Sequence, residues 1–202
     1  MSPSGQQGRK PRADVQRNRA ALLEAAQRHF LKYGVSTSLE AVAKEAGVGP
    51  GTLYRHFPTR EALLAAVLQT RSEELVARQA EIAQLGDADD ALEQWLRALE
   101  EYFSAFSGLP EPLMAAARAQ DGDNPLTLPC DIVITATEEY VRAAQRTGHV
   151  RESVKGYDLF LAAISVAWLK GAGAADEESL DRVRTLIATG YREPDSRAQA
   201  SA

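Results

Sequence analysis

Tyr54, Arg55, His56 and Arg60 lie within seven residues of one another, beside Thr52 and a Gly49-Pro50-Gly51 run. Hydroxyl, imidazole and guanidinium groups clustered this densely are hydrogen-bond donors suited to phosphate oxygens and base edges. Tyr54 and His56 can donate to phosphates, and Arg60 can hold one by charge. Pro50 and Gly51 carry no side-chain donor, so base reading falls on Arg55 and Thr52, with the glycines allowing close approach to a groove. Thr37 and Ser38, just before an apolar-periodic stretch, serve as a helix cap, and a helix N-terminus is also a natural phosphate site.

Other chemistries lack their residues. His29, His56 and His149 show no metal-ligand spacing, and Cys130 has no neighbouring His or Cys. No glycine loop follows a strand. The acid pairs Glu138-Glu139 and Glu177-Glu178 read as solvated helix faces. No catalytic group, metal or cofactor is expected.

Charge is unevenly distributed. Residues 1–60 hold ten Lys/Arg and four Asp/Glu, a net +6, which leaves −11 for the remainder of a chain whose total is −5. A basic end on an acidic body suits a polyanion partner at one end only. Composition, 45% hydrophobic and 25% charged over 202 residues, is that of an ordinary globular chain with a sizeable core. No apolar run is long enough to span a membrane. A single cysteine allows no internal disulfide and fits a reducing cytoplasm.

The elements that position these groups read as helices. A polar, basic arm (1–13) precedes a helix from Asp14, with Val15, Leu22, Leu23, Ala26, Phe30 and Tyr33 on one face and Gly34 at its end. Arg9, Lys10 and Arg12 in the arm suit a minor groove, a phosphate backbone or plain solvent. Two cap registers fit the next helix: Thr37 with Glu40 makes a capping box, and Ser38 lies one residue on. Leu39, Val42, Ala43 and Ala46 then face inward, and Gly47 supplies a left-handed turn. Pro50 opens a short second helix at its first position, and Phe57-Pro58 closes it. Thr59 caps a long helix running to about Leu85. Further helices are expected at about 88–106, 113–119, 129–147, 157–170 and 176–190, with no strand and a polar tail from 193.

The run Gly47-Val48-x-x-x-Thr52-Leu53-Tyr54-x-His56-Phe57, with Arg60-Glu61-Ala62-Leu63, resembles the TetR family of bacterial transcription regulators over residues 14–68. Beyond that, only the pattern of helices matches. The resemblance implies an all-α fold of roughly nine helices: a helix-turn-helix DNA-binding domain (14–58) and a helical effector and dimerisation domain (59–192). It places Tyr54, His56 and Arg60 on the DNA backbone and Pro50, Gly51, Thr52 and Arg55 against base edges. It implies a cytoplasmic homodimeric repressor on a palindromic operator, released by a small-molecule effector. The second-half aromatics read by themselves as core. The resemblance implies a ligand cavity among them, for which Trp95, Tyr102, Phe103, Phe106, Met114, Tyr140, Phe160 and Trp168 are candidates. Trp95, Tyr102 and Tyr140 stand out because their polar tips need partners. The last two helices would pair with a symmetry mate, where Ala162, Ala163, Ser165, Ala167 and Gly171 permit close approach; the alternative is packing within one chain. The alternative function is a helical protein-interaction module carrying a non-functional helix-turn-helix.

Overall fold

The computed structural model describes residues 10–194. Nine helices occupy them: α1 (Lys10–Tyr33), α2 (Leu39–Glu45), α3 (Pro50–His56), α4 (Arg60–Ile82), α5 (Ala88–Ser104), α6 (Pro110–Ala119), α7 (Thr127–Arg146), α8 (Gly156–Gly171) and α9 (Glu177–Tyr191). Turns and loops join them, and the only β-type pairing among the described residues is an isolated antiparallel bridge between Val150 and Arg192. Of the expected arm, residues 10–13 are helical, whereas Arg9 and the residues before it lie outside the described residues, as does the tail from 195.

Local chemistry accounts for the helix boundaries. Ser38 caps α2 by accepting the Ala41 N–H, and Thr59 caps α4 by accepting that of Ala62. The alternative cap, Thr37, turns its hydroxyl to the His29 ring at 3.2 Å instead. Asp87 and Asp176 cap α5 and α9. Pro50 and Pro110 stand at the start of α3 and α6, where a missing N–H costs nothing. Gly47 takes φ +70°, the left-handed turn between α2 and α3.

Burial follows the expected stripes with informative exceptions. Leu22, Ala26 and Phe30 of α1 meet Leu39, Val42, Leu53 and Phe57 in the core of the N-terminal bundle. Val15 and Tyr33, expected on the same face, are exposed, since burial on α1 runs only from Leu22 to Phe30. The body is built on α5, α7 and α8, which pack most closely with one another. On α4, Leu63, Leu64, Val67, Leu68 and Ile82 are buried, but no residue between Leu68 and Ile82 is. That uncovered stretch becomes one wall of a cleft.

The N-terminal bundle is docked on the body through a turn as well as through α4. Phe30 meets Phe106 edge-on at 5.8 Å. The Val35 N–H donates to the Ser107 carbonyl at 2.9 Å. Gly34 (φ +77°) lies so close that a Cβ would stand 2.7 Å from that same oxygen, so only glycine fits the contact.

Candidate nucleic-acid interface and effector cleft

The helix α3 is held from beneath by Leu53 and Phe57, both buried, with the Arg19 guanidinium 5.5 Å over the Phe57 ring. Its outer face carries Pro50, Gly51, Tyr54 and Arg55, all exposed, with Thr52 and His56 half-buried. Open space surrounds both Gly49 and Gly51, so nothing on this chain obstructs a close approach to the start of α3. Leu53 and Phe57 thus turn the donors outward as a consequence of helical period.

Tyr54 and Ser38 are not idle. Both hydroxyls donate to the Glu40 carboxylate, at 3.3 Å and 2.8 Å. The Ser38 hydrogen bond, with further help from Tyr54, holds the Glu40 carboxyl below its usual range. The two hydroxyls therefore already converge on a negatively charged oxygen group between α2 and α3. Glu40 entered the sequence reasoning only as a capping-box partner for Thr37. Its offset from Ser38 gave no sign that Tyr54, fourteen residues on, would meet it.

Arg60 also has partners within the protein. Its Nη1 donates to the carbonyls of Val35 and Thr37, at 2.6 Å and 2.7 Å. It thus clasps the α1–α2 turn to the start of α4. Only Nη1 is engaged in this way, and a guanidinium has further N–H donors that a phosphate can take. A second bracket joins α1 to α2: His29 Nε2 lies 2.7 Å from Glu45 Oε2, and Arg28 Nε donates to Glu45 Oε1 at 2.6 Å.

A cleft of about 490 Å³ opens between α4, α5 and the segment 125–136. From α4 come Ala62, Ala65, Ala66, Leu68, Leu75 and Val76, with the neutral polar residues Gln69, Ser72 and Gln79. Trp95 and Tyr102 enter from α5. Pro125, Leu128, Pro129, Ile132, Val133 and Ala136 close the far side. The polar tips of the two aromatics are satisfied within the protein: Trp95 Nε1 donates to Thr137 Oγ1 at 3.0 Å, and the Tyr102 hydroxyl to the Leu68 carbonyl at 3.2 Å. Burial pushes the Tyr102 phenol up to about 12, so it stays neutral near neutral pH.

The other aromatic candidates are placed elsewhere. Phe103 and Phe160 meet edge-on at 5.7 Å in the α5–α8 core. Tyr140 stacks on Trp95 at 5.3 Å without lining the cleft itself. Met114 is half-buried against the core. Phe106 and Trp168 border a separate recess of about 130 Å³ between the α5–α6 turn and the end of α8. Trp168 is 43% exposed and donates to Glu111 at 2.7 Å. Sequence reasoning missed the glutamines and the lips of the cleft. The available signal was Gln69, Ser72 and Gln79 interrupting the apolar side of α4.

A family model described as "Bacterial regulatory proteins, tetR family" matches residues 22–67, and one described as "Transcriptional regulator SbtR-like, C-terminal domain" matches 87–193. The chain belongs to the TetR family of transcription regulators. Against the HTH-type transcriptional regulator UidR of Escherichia coli K12 it is 38% identical over 66 residues, 32% of this chain and 34% of UidR. The match thus spans about a third of that relative. The crystal structure of the TetR transcriptional regulator SCO0520 from Streptomyces coelicolor aligns with 88% of this chain and 99% of its own at 31% identity, with a TM-score of 0.54. A regulator structure from Rhodococcus sp. RHA1 has a TM-score of 0.64 at 18% identity, covering 88% of this chain and 97% of its own, which speaks for the fold alone. Members of the family are regulators rather than enzymes, and they generally act as DNA-binding dimers with small-molecule effectors.

Proposed function

We propose that this TetR-family regulator is an effector-responsive homodimeric repressor of a palindromic operator. Residues 14–58, extended by the first turn of α1, would form the DNA-binding unit, and 59–192 the effector and dimerisation unit. Arg55 and Thr52 read bases while Pro50 and Gly51 let the helix approach the groove. Tyr54, His56, Ser38 and Thr37 meet the phosphate backbone. Two recognition helices one DNA turn apart, about 34–36 Å, would match half-sites of a palindrome.

The observation that carries this reading lies on α4. One helix lines the cleft from Ala62 to Gln79 and, two residues earlier, grips the helix-turn-helix through Arg60. A ligand with different affinity for two positions of α4 therefore changes operator affinity. The dimer reading draws on the apolar surface of the last two helices: Leu186 is 73% exposed, Trp168 and Tyr157 are exposed, and Val183 and Ile187 are only half-covered.

The test is fluorescence anisotropy on labelled fragments from upstream of the chain's own gene. Tight, salt-sensitive binding is expected, with Arg55→Ala weakening it and relaxing base preference. Full specificity in Arg55→Ala would remove Arg55 as reader. A monomer by sedimentation at micromolar concentration would remove the dimer.

A further inference from the structure

We propose that the α4–α5–α7 cleft takes an elongated, uncharged amphiphile: a mainly apolar body bearing neutral hydrogen-bonding groups and no carboxylate, phosphate or ammonium. This rests on the reading of the cleft as the effector site and names the class of molecule that site accepts.

Charge is the first argument. Among the described residues the cleft is lined by no Asp, Glu, Lys, Arg or His. The charges that act on its Tyr102, those of Arg71 and Glu74, pair with each other at 3.3 Å, so an ion entering the cleft would give up water with no unpaired counter-charge in its lining, a transfer far more costly than that of a neutral polar group. The second large recess, about 400 Å³ between α5, α8 and α9, is the opposite case. Glu100 and Arg184 there pair at 2.8 Å, and Arg192 pairs with Glu93 at 3.1 Å and Asp89 at 3.0 Å. Its charges are engaged with one another.

Shape is the second argument. The cleft follows α4 from Ala62 to Gln79, about 25 Å at 1.5 Å rise per residue. A volume of about 490 Å³ spread over that length makes it a narrow trough and not a round chamber. Its lips, Val76, Leu128 and Ile132, are apolar yet exposed. Exposed apolar residues that converge on one opening mark a binding surface more than chance does.

The polar groups give the third. Trp95 and Tyr102 have spent their donors inside the protein, so neither has an N–H or O–H left to give a ligand. The side-chain amides of Gln69 and Gln79 make no hydrogen bond to the described residues, and stand about 15 Å apart along α4. Each offers two donors and an acceptor, a match for hydroxyl, ester, amide or ketone groups in a long molecule.

The experiment is calorimetry on the full-length protein with n-dodecanol below its aqueous solubility, and with dodecanoate and dodecylammonium below their micellar concentrations. They share a chain and differ in head-group charge. n-Dodecanol is expected to bind at least about tenfold more tightly than either ion. Val76→Arg, at an exposed lip where folding is not at stake, should strengthen dodecanoate severalfold and weaken dodecylammonium. Dodecanoate or dodecylammonium matching the alcohol in the unmodified protein overturns the proposal, as does failure of the alcohol to bind. Unchanged binding of both ions in Val76→Arg overturns it too, by placing the chain outside the cleft. Failure of the effector reading would look different: n-dodecanol binds with the expected preference and operator affinity stays constant.

Discussion

Replacing Arg60 with Met separates two jobs that an arginine at this position can do. In the structure its guanidinium donates to the Val35 and Thr37 carbonyls at 2.6 Å and 2.7 Å. Hydrogen bonds from a charged donor are worth about 1.5–3 kcal/mol each where water is excluded. Arg60 is half-exposed, so the pair together is assigned about the value of one such bond. Losing it loosens residues 35–38, which carry Thr37 and Ser38 to the DNA face. If that turn must be ordered to bind, operator affinity falls by about 10- to 100-fold, at about 1.4 kcal/mol per decade. The assay is anisotropy across a salt series. A clasp on the turn gives parallel lines of log K against log salt, with only the intercept lowered. A phosphate contact would reduce the slope by about 0.9. Arg60→Lys sharpens the comparison: both bonds leave the single Nη1, so an ammonium keeps the charge and must make them from a shorter side chain, and its intercept should fall between those of arginine and Arg60→Met with the slope unchanged. A slope reduced by about one in Arg60→Met, together with normal behaviour of Arg60→Lys and an unshifted Tm, would refute the clasp.

Glu40→Gln should raise operator affinity severalfold in anisotropy, because it removes a carboxylate that takes the Ser38 and Tyr54 hydroxyls and would repel phosphates; weaker binding would show that Glu40 orients Tyr54 productively. Thr137→Val leaves the buried Trp95 indole N–H without its acceptor, costing about 1–3 kcal/mol, read by calorimetry as a Tm lower by about 2–4 °C per kcal/mol. Arg184→Met strands the buried Glu100 and should destabilise by about 3 kcal/mol or more in denaturant titration, with the double change to Met at both positions recovering much of the loss. The Gly156 N–H holds the Glu138 carboxyl below its ordinary range. Its contribution is thus complete above the unfolded value near pH 4 and is lost as pH falls through the lower folded one; Glu138→Gln should flatten that part of the acid decline in Tm.

The helix-turn-helix was legible because its determinants are local. Ser38, Gly47, Pro50, Phe57-Pro58 and Thr59 each act on backbone within a few residues, and all of them do in the structure what their chemistry indicates. Helix boundaries away from such signals moved, as at the start of α1 and the end of α4. The outward face of α3 was legible as well, since burying Leu53 and Phe57 turns Tyr54 and Arg55 to solvent by helical period alone.

The partners of those outward groups were decided elsewhere. Nothing near Arg60 in the chain says that two carbonyls at positions 35 and 37 will reach it, or that Glu40 will gather Ser38 and Tyr54. Periodicity marks Leu63, Leu68, Leu75 and Ile82 alike as apolar, but only some of that stripe is covered. Likewise Trp95, Phe103 and Phe160 are equally aromatic, yet one lines the cleft and the other two fill the core. By itself the sequence determined which residues want to leave water and how the chain is cut into helices, because those preferences act over one or two turns. Which apolar surfaces find a partner and which stay open as a cleft was decided only by how α4, α5 and α7 meet, through contacts between residues far apart in the chain.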